Sequence, residues 1–82
     1  MITVLFFASL KEMLQTEKLS ISIEHASTVA MLLSHLQEKS PLWRKSLSSA
    51  QLMIAVNQEM SQAGVALKSG DEVAFFPPVT GG

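Results

Sequence analysis

The sequence predicts a small α+β domain in which short apolar strands form a sheet packed on one main helix. Three observations carry this expectation. Val29, Leu32, Leu33 and Leu36 recur at i, i+3, i+4 and i+7, which draws one apolar stripe along a helix. Ile2–Phe7, Leu52–Val56 and Val73–Phe76 are apolar runs too short for core helices and of the length of buried strands. The chain has 82 residues, 48% of them hydrophobic. That is enough for one marginally stable domain burying about 60–65% of its unfolded surface.

Taken in order, Ile2–Phe7 is apolar at nearly every position, as a strand covered on both faces should be. Ser9 is placed to cap a short helix running to Leu14, with Leu10, Met13 and Leu14 at helical spacing. Lys18 to Ile23 alternates: Leu19, Ile21 and Ile23 fall on one side and Lys18, Ser20 and Ser22 on the other. That reads as a half-buried edge strand pairing with the first. Thr28 or Ser27 caps the main helix, and Pro41 ends it before Ser40 or Lys39. Pro41 to Ala50 forms a further helical turn, in which Leu42, Trp43 and Leu47 seek cover; Trp43 reads as a satellite core residue. Leu52–Val56 is a third buried strand, with Asn57-Gln58 turning out of it. Ala63 to Leu67 fits no single pattern. Lys68-Ser69-Gly70-Asp71 is a turn leading into the last strand.

Composition excludes several function classes. Six basic against seven acidic residues leave no positive excess for a phosphate backbone, so nucleic acid is not an expected partner. Met1–Leu10 is apolar, but no basic segment precedes it and no small-residue cleavage site follows, so it reads as a strand rather than a leader. No apolar run approaches the roughly 18 residues that span a bilayer, and no membrane partner is expected. The absence of cysteine removes disulfides, thiolate metal sites and thiol nucleophiles, and it fits a cytoplasmic protein.

Conventional catalytic patterns are missing as well. His25 and His35 have no third ligand at plausible spacing, so no metal site is expected. The glycines form no phosphate-cradling loop and no nucleophile elbow is present. Asp71-Glu72 reads as a solubilising pair at a strand entrance rather than a partner contact, and Arg44-Lys45 as a solvated face.

The unusual stretch is the last one, Phe75-Phe76-Pro77-Pro78-Val79-Thr80-Gly81-Gly82. Residues 1–76 are expected to form the domain and 77–82 a flexible tail. Pro77 and Pro78 have no N–H to donate, so the strand must stop there and continue as an extended, stiffened path. From Pro77 to Gly82 an extended chain reaches roughly 20 Å. Gly81-Gly82 makes a thin tip, without a Cβ to obstruct a narrow channel. The carboxylate after Gly82 is the reactive group at that tip. It is a poor electrophile and needs activation from outside this chain.

The segment Gly70-Asp71-Glu72-Val73-Ala74-Phe75-Phe76-Pro77-Pro78-Val79-Thr80-Gly81-Gly82 resembles the C-terminus of molybdopterin synthase small subunits, a family of ubiquitin-like sulfur carriers. Val4-Leu5-Phe6-Phe7-Ala8 and Ala55-Val56-Asn57-Gln58 also resemble that family, and the length fits. The resemblance implies a β-grasp fold whose first and last strands pair in parallel. It further implies that a ubiquitin-activating-type adenylyltransferase uses ATP to adenylylate Gly82, and that sulfide delivered from a persulfide displaces AMP. The resulting thiocarboxylate passes its sulfur to cyclic pyranopterin monophosphate inside a complex with a large synthase subunit. On this reading the chain binds no cofactor itself and is a non-catalytic sulfur donor: Gly82 carries the sulfur, Gly81 gives the tip access, and Pro77, Pro78, Val79 and Thr80 set its distance. Two alternatives stay open, a sulfur carrier for another acceptor such as the thiazole of thiamine, and a ubiquitin-like binding module whose tail is never activated.

One expectation about docking comes from the strands themselves. They are apolar on both faces, which one helix and a short helical turn do not cover. An exposed apolar patch for partners is therefore expected beside the tail's root, contributed by Phe7 and by Phe75 or Phe76. The competing expectation is that Pro41–Ala50 folds over that face.

Overall fold

The computed structural model describes residues 1–77, and the expectations for Pro78, Val79, Thr80, Gly81 and Gly82 fall outside them. Among the described residues, β1 (Ile2–Phe6), β2 (Lys18–Ile21), β3 (Met53–Val56), β4 (Glu59–Met60) and β5 (Glu72–Phe76) form one sheet in the order β2-β1-β5-β3-β4. β1 and β5 run parallel at its centre, with Val4 opposite Val73 and Phe6 opposite Phe75. β2 pairs antiparallel with β1, and β3 with β5. The helices α1 (Ala8–Leu14), α2 (Val29–Gln37) and α3 (Pro41–Ser46) supply the long crossover that a parallel pair requires. This is the β-grasp, ubiquitin-like arrangement.

Strand parity decides the core. Ile2, Val4 and Phe6 of β1, Val73 and Phe75 of β5, and Ile54 of β3 point to one face. They pack there with Val29, Leu32 and Leu36 of α2 and with Leu10, Leu14 and Leu47. The rings of Phe6 and Phe75 stack at 5.9 Å, and Trp43 meets Phe6 edge-on at 5.4 Å. Trp43 is thus a satellite of the core. Leu42 is not: it is exposed at the surface of α3.

Thr28 is the N-cap of α2, its hydroxyl accepting from the Met31 N–H at 3.1 Å. The stretch that fits no pattern in sequence completes this end. The carbonyls of Val65 and Ala63 accept from the N–H groups of Val29 and Ala30, at 3.0 and 2.8 Å. These donors have no partner within their own helix. Ser40 caps α3 from just before Pro41.

Two local expectations are corrected. Ser9 does not cap α1: the N-cap is Phe7, without a side-chain bond, and the helix starts at Ala8. β2 stops at Ile21 because its partner β1 begins at Ile2, opposite it. Ser22 then caps a short 3-10 turn over Ile23–His25, and Ile23 still packs against the core. Asn57 and Gln58 turn the chain out of β3 as expected: at φ 50 and 71° they form a two-residue hairpin loop leading into β4, which was not foreseen. Positive φ at both central residues matches the right-handed twist of the flanking strands.

The turn before β5 is tied by Asp71. Its carboxylate accepts from the Lys68 N–H at 2.8 Å and from the Asn57 side-chain amide at 3.1 Å, while the Asn57 carbonyl oxygen accepts from the Glu72 N–H at 3.0 Å. Gly70 takes φ 96°, where a side chain would be strained. The Lys68 backbone bond foremost, then the Asn57 amide, hold the Asp71 carboxyl below the usual carboxylate range. A depressed folded-state pKa contributes stability that is fully present above the unfolded value, about 3.9, and is lost as pH falls through the folded value. Comparing acid unfolding of wild type with Asp71→Ala should show a stability gap that is constant above about pH 5 and narrows below about pH 4. A gap unchanged across that range would mean that these bonds contribute nothing through the charged carboxylate.

Candidate functional site

The site is built on the sheet face that the helices leave open. One row of cross-strand neighbours runs Lys18–Leu5–Ala74–Ala55–Met60 across all five strands. Alanine at the two central positions removes side-chain volume from the middle of the row. Larger apolar groups stand around it: Leu5 and Phe7 on one side, Phe76 at the end of β5, and Met60 on β4. The result is a shallow hollow of about 370 Å³, with Gln58 and Glu72 on its rim. An apolar floor with a polar rim is the anatomy of a protein-docking surface.

The two outermost rings are in contact. Phe7 and Phe76 stack at 4.7 Å between centroids and 10° between planes. Phe7 is 40% exposed and Met60 63% exposed, whereas Phe75, one residue from Phe76, is 0% exposed. This corrects one expected docking residue. Phe75 pairs with Phe6 and Ile54 on the helix side, so its ring belongs to the core, and Phe76 faces the hollow. The competing expectation for Pro41–Ala50 is also overturned: α3 packs against α1 and α2 on the helix side and leaves the hollow uncovered.

Pro77 follows Phe76 directly and is half-buried. The hollow therefore adjoins the point where the chain leaves the sheet. Leu5, Ala55, Met60 and Ala74 were missed as site residues. Parity along β1, β3 and β5 could have supplied the first, second and fourth; Met60 lies on a two-residue strand with no signal of its own.

A second hollow, of about 350 Å³, lies on the helix layer and is lined by residues including His25, Met31, His35 and Glu38. The two imidazoles stack there at 4.5 Å. Among the described residues, no group of three or more His, Asp or Glu side chains is placed to hold a metal ion. No helix among them is long and apolar enough to cross a membrane. The described residues thus place an apolar hollow beside the point where the last residues leave the sheet.

Comparison with known proteins bears on that arrangement. A model of the ThiS family matches residues 4–82. The chain is 43% identical over 82 residues, covering all of both chains, to the molybdopterin synthase sulfur carrier subunit of Escherichia coli strain K12. Its fold is similar to the crystal structure of SAMP1 from Haloferax volcanii, with a TM-score of 0.82 and 26% identity over 99% of this chain and 98% of that one. It is also similar, with a TM-score of 0.68 and 30% identity over 99% and 97% of the two chains, to a chain in the complex of subunits 1 and 2 of the molybdopterin-converting factor from Helicobacter pylori.

Proposed function

The chain belongs to the ThiS family, and on that premise we propose that it is the sulfur carrier subunit of a molybdopterin synthase. The observation that carries this is the end-to-end match, at 43% identity, to a relative of that name. The relatives' names favour molybdopterin over the thiamine-thiazole alternative. The complex of two subunits from Helicobacter pylori supports a large-subunit partner.

The chemistry of this reading is that of the terminal carboxylate. The chain has no cysteine, so in this reading sulfur is carried on the Gly82 carbonyl carbon rather than on a side-chain thiol. The Gly82 carboxylate attacks the α-phosphate of ATP held by an adenylyltransferase, and pyrophosphate leaves. Sulfide then attacks the acyl carbon of the adenylate and expels AMP, leaving a thiocarboxylate. In the synthase complex the thiocarboxylate sulfur bonds to a side-chain carbon of cyclic pyranopterin monophosphate and displaces an oxygen substituent of that carbon; water then hydrolyses the resulting thioester, leaving the sulfur on the pterin and restoring the carrier's carboxylate. The catalytic groups reside on the partners, and ATP is the activating partner's substrate rather than a cofactor of this chain. The compartment consistent with a cysteine-free carrier is the cytoplasm.

In this scheme the hollow lined by Leu5, Phe7, Met60 and Phe76 docks the large subunit, and Pro77 to Thr80 set the distance from dock to reactive carbon. Intact mass of the protein purified from cells with an active pathway tests the reading. The expected result is replacement of one oxygen by sulfur, mapped by fragmentation to Gly82. Mapping is essential because the exposed Met1, Met13, Met31 and Met60 gain a similar mass as sulfoxides. No sulfur at Gly82, together with no transfer in a reconstituted reaction, would leave the unactivated binding module as the better reading.

A further inference from the structure

We propose that Phe7 is a positioning residue for the tail as well as part of the dock: its ring fixes the direction in which the chain leaves β5. This rests on the sulfur-carrier reading. Phe7 is itself held at two points. Its N–H donates to the Phe75 carbonyl at 3.2 Å, the last backbone bond between β1 and β5, and its carbonyl accepts from the Leu10 N–H at 3.2 Å. Its backbone is extended, at φ −123° and ψ 156°. The next residue, Ala8, turns the chain away at φ 53°. Phe7 is therefore a fixed post at the corner of the sheet.

Phe76 needs such a post. Pro77 has no N–H, so the ladder cannot continue past the Met53–Phe76 pair on the β3 side. On the β1 side β1 has already ended, and the Phe7 ring stacked at 4.7 Å and 10° takes the place of a strand neighbour. Pro77 then passes the orientation of Phe76 onward with its own φ nearly fixed. The direction set at Phe76 and Pro77 is the direction in which the rest of the chain starts toward its reacting centre. A displacement of about 1 Å at a reacting centre is enough to cost a hundredfold in rate.

The test separates positioning from docking. Single-turnover sulfur transfer from thiocarboxylated protein is measured with the large subunit titrated to saturation. Loss of docking area alone raises the half-saturating concentration, as expected for Met60→Ala. Phe7→Ala should in addition lower the limiting rate about tenfold or more, and Phe7→Tyr, which keeps the ring, should restore it. Should Phe7→Ala fail to fold, Phe7→Leu takes its place, since it keeps apolar bulk but loses the flat stack. A wild-type limiting rate for the folded variant lacking the ring overturns the proposal. A second readout needs no transfer: the backbone order parameter at Phe76 in the free protein should fall from about 0.85 toward 0.6 when Phe7 is replaced by Leu. An unchanged value also overturns the proposal. Wild-type protein that forms no thiocarboxylate would instead count against the sulfur-carrier reading, leaving the order parameter to decide the role of Phe7.

Discussion

Replacing Phe75 with alanine should cost about 3–5 kcal/mol, the usual range for removing a fully buried phenylalanine. That is a large share of the whole, because 82 residues at about 0.05–0.15 kcal/mol each give only about 4–12 kcal/mol of total stability. Phe75 is fully buried, stacked on Phe6 and paired with Ile54. Its removal opens a cavity at the meeting point of β1, β3 and β5. Phe76→Ala should behave differently. Its ring faces the hollow, so the fold should survive while affinity for the large subunit falls about ten- to a hundredfold. That corresponds to roughly 1.5–3 kcal/mol for a phenylalanine buried against a partner. Urea unfolding followed by Trp43 fluorescence suits the first measurement, because Trp43 packs edge-on against Phe6. Equal stability losses for the two variants would show that the two faces of β5 are wrongly assigned. A folded Phe76→Ala that binds normally would move the dock elsewhere.

That contrast also marks where the sequence stops being legible. The alternation of Val73 and Phe75 against Ala74 and Phe76 was readable, but the sign of the alternation was not. An apolar residue at every position gives no polar face to orient the strand. Only the register, with Phe6 opposite Phe75 and Leu5 opposite Ala74, says which ring goes inward. The main helix was legible because polar positions interrupt its stripe at the helical period, and Thr28 offered a cap of the expected type. The parallel pairing of the first and last strands came from the family resemblance; periodicity supplied no strand order.

What stayed hidden depends on contacts with no side-chain signature. The stretch around Ala63 and Val65 serves α2 through its carbonyls, which every residue carries. β4 is two residues long, too short for any period to register. Lys18 to Ile23 keeps its alternation past the point where β1 has run out, so the pattern outlasts the pairing. For the candidate site, Phe7 was readable from type and position, while Pro78 to Gly82 lie outside the described residues. The hollow was not, because it depends on Ala74 and Ala55 lying side by side on different strands.

The largest functional effect is expected at the tip. Adding one residue after Gly82 should abolish sulfur transfer in a reconstituted reaction, while unfolding midpoints stay at the wild-type value because, among the described residues, the buried core cluster ends at Phe75. One extra residue displaces the terminal carboxylate by about 3.3–3.6 Å. That exceeds several times over the roughly 1 Å error that already costs a hundredfold. Gly82→Ala and Gly81→Ala keep the length and test access instead. An added methyl in a close-fitting channel typically costs 1–3 kcal/mol, or roughly five- to 150-fold in rate, and more where glycine takes a positive φ that alanine resists. Binding to the large subunit should change far less than transfer, since the proposed dock is the hollow around Phe7, Met60 and Phe76. The combination of intact binding with lost transfer is specific to a carrier. A binding module would keep its whole function with an extended tail, and so would a carrier whose reactive group lies elsewhere; wild-type transfer by the extended protein would rule out Gly82 as the carbon that bears the sulfur.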